Sequence, residues 1–160
     1  MRFLCDEMLA RLARLLRAAG YDTYLASDAE ADADLLRRAK AESRMVLTRD
    51  RRLAAAAAPD AVLIEGSGVE EEARSLAASA PIRWDAAPFT RCVMDNVGLR
   101  EATAEEVERM PASARAGPGP FRACPACGRV YWPGSHVRRM TARLAAIAAD
   151  GPDAGRRKLD

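Results

Sequence analysis

Strand-like and helix-like segments alternate over the first 80 residues, and this alternation constrains the fold more than any other feature. Short apolar strands are predicted at 2–5, 23–25, 45–48 and 61–64, each followed by a segment with helical spacing of apolar side chains. Gly20 follows the first of these helices, where a glycine commonly ends a helix. Repeated strand–helix units predict a parallel sheet covered by helices, with right-handed crossovers. The expected fold class is therefore α/β.

A different pattern begins near residue 80. Two prolines interrupt residues 80–90, which we interpret as a linker. We expect a first domain over residues 1–82 and a small subdomain with a helical insert and a C-terminal helix over 89–149. The remaining residues, 150–160, are expected to form a disordered tail.

Composition limits the classes of protein to which the chain can belong. Hydrophobic residues make up 49% of 160 residues, which suffices for a packed core. No run of 18 apolar residues exists, which excludes a membrane-spanning helix, and acids at positions 6 and 7 are unlike a secretory signal. We expect a cytoplasmic protein with no membrane partner, in which four cysteines favour metal binding over disulfides.

Aspartates follow the predicted strands at the ends where parallel sheets bind ligands. Asp6 follows the first strand and Asp50 the third, while Asp32 and Asp34 open the second helix. Converging carboxylates repel unless a cation neutralises them, and oxygen ligands favour Mg²⁺ or Mn²⁺. Such ions activate water for phosphodiester hydrolysis. The alternative is that each aspartate merely caps the helix that follows it.

A second metal site is indicated by the cysteines. Cys124 and Cys127 form a C-x-x-C pair, and Cys92 and Asp95 repeat its spacing with a carboxylate in place of the last thiol. Thiolates and carboxylates can both bind tetrahedral Zn²⁺. We expect Zn²⁺ here, with His136 as the alternative fourth ligand and loss of the site as a further alternative.

Charge is distributed unevenly along the chain. Residues 1–85 carry 13 basic and 15 acidic side chains, a net −2, whereas residues 86–160 carry 12 and 8, a net +4. A basic C-terminal part fits contacts with a polyanion, although a solvated helix face explains the same arginines. Aromatic side chains among them could stack on bases or pack the small subdomain. The candidate nucleic-acid-binding residues are Arg11, Arg14, Arg122, Arg129, Arg138 and Arg139.

Several motifs, in order, resemble the Mut-seven C-terminal ribonuclease domain, a PIN-like family. They cover nearly the whole chain: residues 3–17, 20–23, 32–36, 47–53, 91–92, 124–128 and 131–136. The resemblance implies a PIN-like parallel sheet flanked by helices, followed by a small C-terminal zinc-ribbon-like subdomain. It also implies an acidic cluster that cleaves RNA with Mg²⁺ or Mn²⁺.

On this resemblance the metal ligands are Asp6, Asp32 and Asp50, with Asp34 as the rival for the middle position. The sequence departs from the family at Asp95, where a cysteine is usual. The predicted function is a metal-dependent ribonuclease acting on RNA, most readily single-stranded, with single-stranded DNA as another substrate. The alternative is a non-catalytic nucleic-acid- or protein-binding module with a zinc ribbon. A receiver-like phosphoacceptor is disfavoured, because no suitable lysine precedes Pro81 and the ribbon would have no explanation.

Overall fold

The computed structural model describes residues 1–150. Its first half contains four strands and four helices in alternation. The strands are β1 (Arg2–Cys5), β2 (Asp22–Leu25), β3 (Met45–Thr48) and β4 (Ala61–Leu63). The helices are α1 (Ala10–Ala18), preceded by a 3₁₀ turn at Glu7–Leu9, then α2 (Asp32–Ala41), α3 (Arg51–Ala57) and α4 (Val69–Ser79).

The four strands form one parallel sheet in the order β2-β1-β3-β4, which confirms the predicted α/β fold. Neighbouring side chains of β1 point to opposite faces, as the period of a strand requires. Phe3 and Cys5 pack on the face covered by α1 and α4, whereas Leu4 packs on the face covered by α2 and α3. The sheet is thus buried on both sides, as is usual for parallel sheets.

The second half adds a small antiparallel sheet and a long helix. In chain order its elements are β5 (Arg100–Glu101), α5 (Ala104–Glu108), α6 (Ala112–Arg115), β6 (Arg122–Ala123), β7 (Val130–Tyr131) and α7 (Ser135–Asp150). The sheet order is β5-β6-β7. Helix α7 packs against α4, and Arg143 forms an ion pair with Glu70.

The segment that we interpreted as a linker is packed against the first half. Trp84 and Phe89 are buried, and the amide of Phe89 donates to the carbonyl of Ala18 at 2.8 Å. Gly20 has a φ of +99°, and a Cβ there would lie 2.5 Å from the carbonyl oxygen of Ala87. The linker interpretation is therefore wrong, because two large side chains anchor this segment to the end of α1.

A single hydrophobic cluster joins the two halves, with members from Phe3 to Ala148. The division into domains at 1–82 and 89–149 stays a prediction. Of the predicted tail 150–160, Asp150 is the last residue of α7, and the rest lies outside the described residues. Within residues 1–150, no helix is both long enough and apolar enough to span a membrane.

The outer edge of β2 is covered by the loop at residues 92–97. The amide of Thr23 donates to Asn96 Oδ1 at 2.9 Å, and the carbonyl of Thr23 accepts from Arg17 Nε at 2.9 Å. Arg17 also donates to the carbonyls of Val93 and Met94, at 3.2 and 2.7 Å. Arg17 is only 7% exposed. This arginine of α1 is therefore buried between β2 and the loop at residues 92–97.

Candidate active site and metal centre

The predicted aspartates lie at one edge of the sheet. Asp6 directly follows β1, Asp50 follows β3, and Asp32 begins the helix after β2. Because β1 lies between β2 and β3, the three residues follow three adjacent parallel strands. This edge is where open α/β sheets bind ligands.

Asp6 is a buried carboxylate held by three donors. Its Oδ2 accepts a hydrogen bond from the Thr48 hydroxyl and one from the amide of Arg49 at 3.3 Å, while its Oδ1 accepts from the amide of Met8 at 3.1 Å. The Thr48 hydroxyl oxygen in turn accepts from the amide of Asp50 at 2.9 Å. Thr48 thus links the carboxylate of Asp6 to the backbone of Asp50, and its hydrogen bond stabilises the buried Asp6 side chain.

Asp50 is exposed and caps α3. Its Oδ1 accepts from the amides of Arg52 at 2.6 Å and Leu53 at 3.2 Å. The cap interpretation therefore holds for this residue. Only Oδ1 takes part in these bonds, so capping and binding a cation through Oδ2 are compatible.

Asp32 and Asp34 are both exposed in the first turn of α2, and they differ in their partners. Asp34 Oδ1 forms a salt bridge with Arg37 at 2.6 Å. Within residues 1–150, the carboxylate of Asp32 has neither a hydrogen bond nor an ion pair. In the same part of the chain, the carboxylate oxygens of Asp6, Asp32 and Asp50 do not all lie within 4.8 Å of one another.

A further acid, Glu72, belongs to this region and was missed by the sequence analysis. Of the three consecutive glutamates in α4, Glu72 is buried, with 7% of its surface exposed. Its Oε1 lies 3.8 Å from Arg49 Nη1. Burial raises the pKa of the Glu72 carboxyl. The positive charges of Arg49 and Arg11 oppose this rise, and the negative charge of Asp6 adds to it. The spacing of Val69, Glu72 and Leu76 places Glu72 on the buried face of the helix, and this signal could have identified it.

The second cluster is built from two loops with the same backbone geometry. In the first loop, the amide of Cys92 donates to the carbonyl of Val97 at 2.8 Å, and the amide of Asn96 donates back to Cys92 at 3.0 Å. In the second, Cys124 and Arg129 make the equivalent 2.9 Å bond, and Gly128 donates to Cys124 at 2.9 Å.

Positive φ angles complete each turn, +59° at Asn96 and +69° at Gly128. Asparagine and glycine are the residues that adopt this conformation most readily. Asp95 and Cys127 therefore occupy equivalent positions in two equivalent turns.

Four side chains converge between these loops. The ligand atoms of Cys92, Asp95, Cys124 and Cys127 all lie within 4.8 Å of one another. The Sγ atoms of Cys92 and Cys127 are 4.0 Å apart. Two thiolates bound to one tetrahedral Zn²⁺ at about 2.3 Å would be separated by about 3.8 Å. This cluster can therefore bind a metal such as zinc with little rearrangement.

The Asp95 carboxylate lies at the centre of the three thiols. Its Oδ2 accepts from Cys92 at 3.2 Å and from Cys124 at 3.5 Å. A hydrogen bond to Asp95 raises the pKa of Cys127 to about 12. A cation that binds Cys127 as a thiolate would therefore have to displace the proton of this thiol.

Tyr131 supports this cluster from beneath. Its hydroxyl lies 3.3 Å from Cys92 Sγ and accepts a hydrogen bond from the amide of Val93 at 3.2 Å. Burial raises the pKa of Tyr131, and its hydrogen bond to Cys92 adds to the rise. The alternative ligand His136 is an exposed residue in the first turn of α7 and is not a member of the cluster.

The candidate nucleic-acid-binding arginines lie on two parts of the surface. Arg11 and Arg14 are exposed on α1, while Arg129, Arg138 and Arg139 are exposed in the second half. Arg122 is half-buried and donates to the carbonyl of Phe89 at 2.8 Å.

Comparison of the chain with known protein families gives one match. A family model described as the Mut7-C RNAse domain matches residues 1–144. No curated protein matches the chain, and no solved structure does.

Proposed function

The chain belongs to the Mut7-C RNAse domain family, which indicates a ribonuclease-like function, and we propose that it hydrolyses the phosphodiester bonds of single-stranded RNA with Mg²⁺ or Mn²⁺. Asp6, Asp32 and Asp50 would hold the cation. The observation that carries this proposal is the linkage of Asp6 to the backbone of Asp50 through Thr48 at the carboxyl edge of the sheet.

The arrangement of the acids suits a partly hydrated ion. Mg²⁺ usually binds proteins through one or two carboxylates and keeps several waters. Asp6 is fixed by its donors, whereas Asp32 is exposed and has no partner within residues 1–150. We prefer Asp32 to Asp34 as the third acid, because the salt bridge to Arg37 occupies Asp34. A divalent cation at this edge would activate water and stabilise the charge on the phosphate.

The Cys92–Asp95–Cys124–Cys127 cluster is proposed as a structural zinc site. Four protein ligands leave no open position, which is typical of structural rather than catalytic zinc. Free thiols in this cluster fit a reducing compartment such as the cytoplasm. The exposed arginines would contact the phosphates of the substrate.

The test is cleavage of a labelled single-stranded RNA with Mn²⁺ by wild type and Asp50→Asn. Asparagine also caps helices well, so the variant keeps α3 and removes only the negative charge. We expect activity to fall at least about a hundredfold, because a metal ligand is lost. Asp60→Asn is the matched control, since Asp60 immediately precedes β4 at the opposite edge of the sheet. Equal cleavage by wild type and Asp50→Asn would refute the assignment.

One observation favours the non-catalytic alternative. The carboxylates of Asp6 and Asp50 both accept hydrogen bonds from backbone amides, as structural caps do. A protein that binds RNA without cleaving it, and whose binding is unchanged on removal of Mg²⁺, would select that alternative.

A further inference from the structure

A groove in the second half of the chain is lined by none of the candidate acids that follow the strands and by none of the four side chains of the thiol cluster. It has a volume of about 550 Å³ and lies between the β6–β7 hairpin and α7. Its apolar wall includes Phe89, Tyr131, Trp132 and Pro133. Tyr131 and Phe89 are buried and pack against each other with ring centroids 6.0 Å apart, whereas Trp132 is half-buried. Trp132 is therefore the aromatic side chain of the groove that remains partly accessible.

Two arginines add positive charge to this apolar groove. Arg122 and Arg138 both line it. Each donates one Nη1 to a backbone carbonyl, to Phe89 at 2.8 Å and to Pro133 at 2.6 Å, which fixes its side chain. Neither forms a salt bridge within residues 1–150, and residues 121–143 contain no acidic side chain. Both guanidinium groups thus keep donors and a full charge for an anion.

Aromatic surface beside guanidinium groups is the combination that binds an unpaired nucleotide. A base stacks on an aromatic ring, and arginines contact the neighbouring phosphates. A double helix cannot use such a groove, because its bases are already stacked. A proline-rich peptide would also fit the aromatic wall, but it would leave the charge of both arginines unmatched.

Helix α7 runs from the groove to α4. Arg138 lines the groove, and Arg143 lies five residues further along the helix, a rise of about 7.5 Å. Arg143 pairs with Glu70, two residues before the buried Glu72 on α4. A strand held in the groove therefore lies on a helix that packs against α4, the helix that carries Glu72.

We propose that this groove is a binding subsite for an unpaired nucleotide of single-stranded RNA, held by stacking on Trp132 and by Arg122 and Arg138. The proposal deepens the ribonuclease function proposed above and rests on it for the identity of the substrate. It goes beyond general attraction of arginines to a polyanion, because it requires a particular aromatic side chain.

The experiment measures binding of a fluorescein-labelled dodecamer of uridine by fluorescence anisotropy. The full-length chain with Asp50→Asn is used throughout, so that cleavage does not consume the probe. Adding Trp132→Leu should raise Kd about tenfold, because stacking of one base is lost. Adding Arg138→Gln should raise Kd about threefold and reduce its salt dependence. The matched control is Arg115→Gln, an exposed arginine of the second half that does not line the groove and is not among the candidate nucleic-acid-binding residues, and it should change Kd by less than about twofold.

A second measurement needs no substitution in the groove and therefore does not depend on the folding of a variant. Trp84 is 1% exposed, so quenching of tryptophan fluorescence by the probe should come from Trp132 in the folded parent protein. Unchanged Kd for both Trp132→Leu and Arg138→Gln would overturn the proposal. Equal weakening by Arg138→Gln and Arg115→Gln would also overturn it, since that result describes a diffuse basic surface. So would tight binding of a decaproline peptide that the uridine dodecamer fails to displace.

Failure of this proposal and failure of the ribonuclease function give different results. If Asp50→Asn abolishes cleavage while Trp132→Leu binds RNA like its parent, the subsite is wrong and the nuclease stands. If no cleavage occurs but Trp132→Leu weakens binding, the subsite stands and the catalytic assignment is wrong.

Discussion

Replacing Arg17 with methionine should destabilise the fold and weaken the thiol cluster at the same time. The buried guanidinium donates to the carbonyls of Thr23, Val93 and Met94 at 2.9, 3.2 and 2.7 Å. Two of these carbonyls belong to the loop that positions Cys92 and Asp95. Methionine has a similar length but offers no donor, so the variant removes the bonds with little change in packing.

The magnitude follows from the number of bonds and their charge. A hydrogen bond to a charged group contributes about 1.5–3 kcal/mol, so three would give roughly 4.5–9 kcal/mol. Two effects reduce this value: Val93 and Met94 are partly exposed and can bind water, and burial of the guanidinium, which lowers the pKa of Arg17, is itself unfavourable. We expect a net loss of about 2–4 kcal/mol, a large part of the roughly 5–15 kcal/mol typical of a domain.

The assay is urea denaturation of the zinc-loaded protein, with zinc affinity measured by competition with a chelator. Arg14→Met is the matched control, because Arg14 is exposed on the same helix and should cost less than about 0.5 kcal/mol. Equal midpoints for Arg17→Met and Arg14→Met would refute the hydrogen-bond reasoning. A destabilised Arg17→Met protein with unchanged zinc affinity would refute its connection to the loop.

Two further predictions concern the thiol cluster and the pH dependence of stability. Asp95→Cys should tighten zinc binding by about tenfold and increase the thiolate-to-cobalt absorption of the Co²⁺ form, while His136→Ala should change neither. Burial alone would raise the pKa of Asp22, but hydrogen bonds from Arg44 and Asn96 outweigh burial and lower this pKa. The ionised Asp22 therefore stabilises the fold fully above its unfolded pKa near 4, and this stabilisation is lost as pH falls through the lower pKa of the folded state. Asp22→Asn should therefore show a shallower acid loss of stability than wild type in urea denaturation from pH 5 to 2, and the exposed Asp28→Asn should match wild type.

The sheet could be predicted because its signals are local. Phe3, Leu4 and Cys5 form a continuous apolar run, which is typical of a strand buried on both faces, and Gly20 marks the end of the next helix. The positions of Asp6 and Asp50 follow directly from the strand ends. Their placement on adjacent strands could not be predicted in this way, because a parallel sheet leaves the strand order open and the order β2-β1-β3-β4 appears only in the folded chain.

Features that depend on distant partners could not be predicted in the same way. Arg17 contacts Val93 and Met94, 76 and 77 residues away, and nothing in its own neighbourhood indicates them. The strands of the second sheet have two residues each, too few for any periodicity to be recognised. The equivalence of Asp95 and Cys127 was visible in the spacing, but the matching turns that establish it appear only in the folded chain.

The contacts of Thr23 have a consequence for how this molecule behaves among its own copies. An uncovered strand at the rim of a sheet is a template for pairing with another chain, and it promotes aggregation. Here Asn96 and Arg17 occupy both backbone groups that Thr23 turns outward. The loop that carries half of the thiol cluster, together with Arg17, therefore leaves Thr23 no free backbone group with which a second chain could extend the sheet beyond β2.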